Sequence, residues 1–407
     1  MTHVVVVGAG QAGLALVARL RADGFDGPIT LIGAEPHPPY QRPPLSKAYL
    51  LGEMPQERLY LRPESFYAEQ GIDLRLGSPA AAIDTGRQVV VLETGAEIPY
   101  DELVLATGAV PRRLPAAIGG DLEGVFTMRD IRDADALAPQ MRPGRRALVV
   151  GGGYIGLEGA AVAASRGLQV TLIEMAPRIL NRVASAETAD WFRALHRAHG
   201  VDIREGTGLD RLLGKDGRVT AARLSTGEEI PVDLVLVGIG IQPDTRLAES
   251  AGIAVENGIR TDEYGRTSVP HVWAAGDCAS FPHEGGRLRL ESVGHAIDQA
   301  ETVARNIMGA EQPYRPMPWF WSDQYDCKLQ IAGLGQGHDR IVTRRLGEGP
   351  DAPLSHWYFR DGRLIAVDAM NDSRAYMIGK RLIEAGRSPD PALLADPATD
   401  LKALLKG

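Results

Sequence analysis

Two short glycine-rich runs, Gly8-Ala9-Gly10-Gln11-Ala12-Gly13 and Gly151-Gly152-Gly153-Tyr154-Ile155-Gly156, impose the same constraint on this chain twice. In a G-x-G-x-x-G turn the first glycine permits a tight passage from strand to helix, the second lets backbone amides approach a pyrophosphate, and the third lets helix pack on strand. A side chain at any of the three positions is expected to block the ligand. The surroundings repeat as well. Residues 3–7 read as a buried strand, 11–22 as a helix and 29–32 as a second strand ending near Glu35; 146–150, 154–166 and 169–173 repeat that order and end at Glu174. In both places the acid lies about 20 residues past the last glycine, where a carboxylate accepts hydrogen bonds from ribose hydroxyls and repels a 2′-phosphate. The pattern calls for two dinucleotides on one chain.

Further along, each half carries an echo strand: Leu103-Val104-Leu105-Ala106-Thr107-Gly108 in the first, Leu234-Val235-Leu236-Val237-Gly238-Ile239-Gly240 in the second. Alternating apolar runs at 88–92 and 218–224 precede Thr-Gly turns and should form an antiparallel layer beside each parallel sheet. Prolines 111–115 and the region of Pro243 mark the crossings, and 271–277, ending Ala275-Gly276-Asp277, returns to the first half. After Pro313, Pro316 and Pro318 come strand-like runs at 329–334, 340–345, 354–359 and 364–370 and a helix at 371–385. The expected fold is α/β: two Rossmann-like dinucleotide-binding domains, 1–111 with 244–312 and 112–243, plus a C-terminal α+β domain, 313–407.

The chain has 407 residues, only two cysteines (Cys278 and Cys327) and a formal net charge of −8. That charge argues against bulk nucleic-acid binding, and two distant cysteines make neither a disulfide framework nor a metal cluster, so no metal site is expected. With no apolar stretch of membrane-span length and a strand starting at His3, the reading is no membrane and a cytoplasmic protein.

Taken with Arg42-Pro43-Pro44-Leu45-Ser46-Lys47, Ala106-Thr107-Gly108, Ala275-Gly276-Asp277, Glu291-Ser292-Val293 and Trp319-Phe320-Trp321-Ser322-Asp323-Gln324-Tyr325, the fingerprints give a chain that resembles the FAD-dependent ferredoxin reductases of the putidaredoxin reductase and rubredoxin reductase type. Their nucleotide-binding domains have a glutathione reductase-like arrangement. The resemblance implies FAD on the first fingerprint (Gly8, Gly10, Ala12, Gly13), with Glu35 and Ala80 at its adenosine half. It places Thr107, Gly108, Arg129, Asp277 and Val293 along the cofactor, and Arg42 and Lys47 about a proline-stiffened platform under the flavin. A fixed ammonium beside the ring favours its reduced state. For Asp277 the plain alternative is an N-cap of the next helix, for Arg129 a solvated arginine, and for Lys47 a surface lysine on a proline-rich loop.

NADH is implied for the second fingerprint, with Gly151, Gly153 and Gly156 at the pyrophosphate, Glu174 at the ribose and Gly240 close to the ligand. Arg178 and Arg182 nearby could instead accommodate a 2′-phosphate. Glu158 would lie near the nicotinamide, or else only complement its helix dipole. Trp321 would shield the flavin, with Trp319 beside it. No cysteine precedes residue 278, so a thiol relay is not expected. The resemblance then implies hydride transfer from NADH to FAD and single electrons passed to a [2Fe-2S] ferredoxin feeding a haem monooxygenase. Arg344, Arg345, Lys380, Arg381 and Arg387 are candidates for its docking patch. An NADH-dependent peroxide or disulfide reductase and an NADH redox-sensing flavoprotein remain the alternatives.

Overall fold

In a computed structural model, residues 1–349 and 352–406 are described. The chain divides into two compact units: Met1–Arg42 with Pro55–Val110 and Ile241–Pro318, and Pro43–Met54 with Pro111–Gly240 and the chain from Trp319 onward.

The first unit is built on a five-stranded parallel sheet in the order Val272–Ala274, Glu102–Leu105, Val4–Val7, Ile29–Ile32, Ile72–Arg75. Val4, Val5 and Val6 are fully buried, as continuous β-branched runs are when helices and a second layer cover both faces of a parallel sheet. Helix Gln11–Ala22 supplies Leu14, Leu16, Val17 and Leu20 to one face, where they meet Ala296, Ala300 and Val303 of helix Val293–Ile307. An antiparallel sheet, Ala80–Asp84, Val89–Leu92, Glu97–Pro99, accompanies it.

The second unit repeats the plan. Its parallel sheet runs Asp202–Glu205, Gln169–Glu174, Arg146–Val150, Leu234–Val237, Val125–Phe126, and Leu209–Lys215, Arg218–Leu224 and Glu229–Pro231 form the antiparallel companion. A second five-stranded sheet, antiparallel, is ordered Trp319–Gln324, Cys327–Gly333, Arg363–Met370, Leu354–Arg360, Arg340–Arg345 and carries helix Ser373–Glu384. This C-terminal sheet clusters with the nucleotide-binding half because buried polar side chains join them. Ser322 bonds Glu158, Gln324 bonds His196, and Tyr358 and Asp368 bond the start of helix Ala186–Ala198. That helix is not among the elements inferred from sequence; its signature is the N-cap Ser185, whose hydroxyl accepts from Thr188 N.

Three histidines, His196, His295 and His356, are buried and their pKa values are pushed down to about 4 by that burial. The unfolded chain takes up protons below about 6.5 that the fold refuses, so stability is complete above that pH and drains as pH falls toward about 4. Asp368, raised by burial to about 6, works the other way. Net uptake of nearly two protons on unfolding at about pH 6 to 5, falling to about one at pH 4, gives a loss of roughly 2 kcal/mol per pH unit across that range. Thermal melts from pH 8 to 4 should show that steep fall, and a flat profile would contradict the assignment.

Candidate active site

The six fingerprint glycines separate into two kinds. Gly8 has φ +120°, and a Cβ there would meet Ala106 O at 2.0 Å; one on Gly13 would meet Gly8 O at 2.0 Å. In the second fingerprint Gly151 and Gly156 would collide with Gly238 O at 2.5 Å and Gly151 O at 2.0 Å. Only the middle glycines, Gly10 and Gly153, face open space, with nothing within 4 Å of the added carbon. The expectation that a side chain at every position would block a ligand is therefore corrected: four positions are closed by the protein's own backbone, and only two open onto space that a ligand could fill.

Helices Gln11–Ala22 and Tyr154–Ser165 both start from these middle glycines, without a side chain accepting from the first turn and without an acid in it. By contrast Ser185, Ser292 and Asp372 cap their helices with side-chain oxygens. An uncapped helix start behind a glycine cradle offers amides and a positive dipole end to an anion, which fits one pyrophosphate per unit.

The two ribose-side acids are held differently. Glu35 accepts from Tyr40 Oη at 2.6 Å and from Arg42 Nη2 at 2.6 Å. Burial alone would raise its pKa, but the Arg42 charge and the two hydrogen bonds outweigh it and hold the carboxyl below the usual range. Arg42, expected beside a flavin platform, thus turns to Glu35. Glu174 accepts from Gly152 N and Ala176 N, each at 2.7 Å, which orients the carboxylate and leaves each oxygen a further lone pair. Arg178 is drawn onto carbonyls, Ala184 O at 2.9 Å and Ser185 O at 3.1 Å, and so fastens its own loop. Of the two arginines that could have met a 2′-phosphate, Arg182 is the exposed one, with Nη2 3.5 Å from where a Gly240 Cβ would stand.

Lys47 and Glu158 come together. Lys47 Nζ lies 2.8 Å from Glu158 Oε1, with the side chains 18% and 3% exposed. Ser46 Oγ donates to Oε2 at 2.7 Å and Ser322 Oγ to Oε1 at 2.6 Å. Behind Ser322, Gln324 Nε2 donates to its hydroxyl at 3.1 Å, and Gln324 Oε1 meets His196 Nε2 at 2.7 Å. Neither a surface lysine nor a helix-dipole acid describes this pair. Ser46 and Ser322 lie in runs quoted above, PPLSK and WFWSD, but hydroxyls carry no spacing signature that singles them out.

The remaining candidates fall as follows. Thr107 Oγ1 donates to Asp244 O at 2.6 Å, and Gly108 has φ +71°. Ala12 is buried where a Gly276 Cβ would come within 3.0 Å of its methyl. Ala80 opens the first antiparallel sheet, and Val293 opens helix Val293–Ile307. Asp277 is followed by strand Ala279–His283, and the next helix is capped by Ser292, so the N-cap alternative for Asp277 falls away. Arg129 lies in the second unit, its amide donating to Asp133 Oδ2 at 2.9 Å. Trp319 and Trp321 share a strand face and stack at 5.4 Å, with Lys380 Nζ 5.6 Å over the Trp319 ring. Phe320, between them in sequence, packs on Tyr154 at 4.7 Å.

One docking candidate is corrected. Arg344 is 4% exposed and donates to the carbonyls of Leu394, Asp396, Pro397 and Thr399, fastening the C-terminal tail. Arg387 Nη1 likewise donates to Leu405 O.

Both cysteines are free and buried; burial pushes both thiols up, and the Cys278 sulfhydryl donates to Leu105 O and Ala275 O. Among the described residues no cluster of His, Cys, Asp and Glu could hold a metal ion, and no helix is long and apolar enough to cross a membrane.

Two glycine cradles, each followed by an oriented acid, in two similar α/β units define an oxidoreductase that works with two dinucleotides. Residues 2–300 match the pyridine nucleotide-disulphide oxidoreductase family, and 319–405 match the reductase C-terminal family. The chain belongs to the pyridine nucleotide-disulphide oxidoreductases, in the branch of the ferredoxin reductases. It is 45% identical over 98% of its length, and 97% of the relative's, to a ferredoxin–NAD(P)(+) reductase of Sphingomonas sp.. It is 44% identical to the 5,5'-dehydrodivanillate O-demethylase ferredoxin reductase subunit of Sphingobium sp., covering 98% of this chain and 97% of that one. Among solved structures, the covalent putidaredoxin reductase–putidaredoxin complex superposes with a TM-score of 0.94 at 40% identity, covering 100% of this chain and 98% of that one.

Proposed function

We propose that this chain is an NADH-dependent ferredoxin reductase that passes electrons singly to a [2Fe-2S] ferredoxin serving an oxygenase system. FAD, held by the first unit, supplies the step from a two-electron donor to a one-electron acceptor. The second unit takes NADH: Gly153 leaves room for the pyrophosphate, Gly151 and Gly156 shape the turn, and Glu174 faces the ribose. Lys47 supplies a fixed ammonium for the redox centre, Glu158 holds that ammonium in place, and Trp321 excludes water. The reading includes a cytoplasmic location, supported by a sequence of 407 residues with only two cysteines, which form no disulfide.

The observation that carries it is the state of those cysteines. In a family named for disulphide chemistry, both thiols are buried, hydrogen-bonded or desolvated, and disfavoured as thiolates, so electrons leave without passing through sulfur. Stopped-flow reduction by NADH, then mixing with [2Fe-2S] ferredoxin, should give reoxidation within the turnover time, and Cys278→Ser and Cys327→Ser should leave the rate within about twofold. Rapid turnover with peroxide or a disulfide and none with ferredoxin would overturn the reading, as would slow reoxidation by every one-electron acceptor.

A further inference from the structure

Asp368 is a buried acid with no part in the site described above. It stands on strand Arg363–Met370, 2% exposed, and its Oδ2 accepts from Thr188 Oγ1 at 2.8 Å and from Tyr358 Oη. Tyr358 Oη also accepts from Ser185 N at 3.2 Å and lies 3.3 Å from Thr188 Oγ1. Ser185, Thr188 and Tyr358 are all nearly or fully buried.

Ser185 is where the loop after strand Gln169–Glu174 ends and helix Ala186–Ala198 begins. That loop returns to the second fingerprint at its middle: Leu180, in the left-handed region at φ +52°, donates its amide to Gly152 O at 2.9 Å. Arg178 bonds Ala184 O and Ser185 O, tying the middle of the loop to its end. One end of the loop is set by Glu174 on Gly152 N and Ala176 N, and the other by the Tyr358–Asp368 pair. A carboxylate accepting from a phenol polarises that phenol oxygen and makes it a better acceptor for the Ser185 amide.

We propose that Asp368, acting through Tyr358 and Ser185, is a positioning residue for the adenosine half of the dinucleotide taken by the second fingerprint. This rests on the reading of that fingerprint as the nicotinamide-dinucleotide site.

Several titratable groups face Asp368 from the elements packed against it. They are Tyr358 and His356 on the neighbouring strand, His338 on the loop before strand Arg340–Arg345, and Tyr154 on helix Tyr154–Ser165. His356 is in register with Asp368 and feels Glu187. Burial raises Asp368 to about 6, with the bonds from Tyr358 and Thr188 and the charge of His338 opposing it. The anchor is therefore charged at pH 8 and neutral at pH 5.

The test is ADP-ribose binding to the holoenzyme by calorimetry, which needs no turnover, together with KM and kcat for NADH from pH 5 to 8. For Asp368→Asn at pH 8, the Kd for ADP-ribose and the KM for NADH should rise about five- to tenfold, the difference between a charged and a neutral hydrogen bond. The kcat should stay within twofold. Wild-type affinity should fall by a similar factor as pH drops through about 6, while the variant stays flat. Because Asn removes a buried charge, its melting temperature at pH 8 should not fall. Tyr358→Phe, which keeps the ring and removes the hydroxyl, should reproduce the weakened binding. Unchanged affinity in both variants, or an identical pH profile in wild type and Asp368→Asn, overturns the proposal while leaving the dinucleotide site intact. A wild type that binds no ADP-ribose overturns both.

Discussion

Gly153→Val is expected to fold and to lose its nicotinamide dinucleotide. The backbone at Gly153 has φ −81° and ψ 179°, extended values open to any residue, and an added Cβ meets nothing within 4 Å. The protein itself therefore gives no reason for glycine there; an anion laid against the amides of helix Tyr154–Ser165 would. A valine in that cradle displaces the pyrophosphate from its hydrogen bonds, and with about 3–4 kcal/mol lost the Kd rises by two to three orders of magnitude. Gly10→Val should behave alike in the first unit, giving a folded protein purified without colour. The controls run the other way: Gly151→Ala, at φ +106° and 2.5 Å from Gly238 O, should damage folding itself. Calorimetry and circular dichroism on the four proteins separate the two kinds of glycine. If Gly153→Val binds NADH as tightly as wild type, the second cradle is not a nucleotide site.

Lys47→Met is expected to cost more stability than its partly exposed position suggests. Glu158, 3% exposed, would keep two serine donors but lose the ammonium 2.8 Å away. Removing one partner of a fully buried pair costs about 3–5 kcal/mol, and the 18% exposure of Lys47 puts this case toward the lower figure. The double variant Lys47→Met/Glu158→Leu should recover most of the loss, since apolar replacements of similar size often match a buried ion pair. Activity should not recover with it. The single and double variants should both reduce the rate of hydride transfer from NADH at least tenfold, because neither has the fixed cation. Urea denaturation and stopped-flow flavin reduction on the same samples test the two halves separately. Recovery of both stability and rate in the double variant would make the pair a packing feature only.

Much of the geometry around the two glycine turns is legible because local rules carry it. The strand–glycine turn–helix–strand–acid order at 4–35 and 146–174 is written in short-range pattern, and the helix Gln11–Ala22 and strands Ile29–Ile32, Arg146–Val150, Arg218–Leu224 and Arg340–Arg345 lie where that pattern places them. Partners far apart in sequence were not legible. Ser322 and Ser46 reach Glu158 across 164 and 112 residues, and nothing in the vicinity of either serine announces the meeting. Arg344 shows the same limit from the other direction: two adjacent arginines in a strand look like a basic patch. Strand alternation puts Arg345 outward and Arg344 inward, where the tail carbonyls take it.

The primary structure alone specified two nucleotide-binding units and the glycines that shape them. Local backbone demands and residue inventory suffice for those conclusions. Which glycines face open space and which face backbone, where Arg42 and Arg178 point, and that Lys47 closes on Glu158 while Asp368 bonds the Tyr358 hydroxyl beside Ser185 were settled only in three dimensions. Each depends on a long-range approach, and the free energy of such a contact comes from burial and charge pairing that no stretch of chain contains by itself.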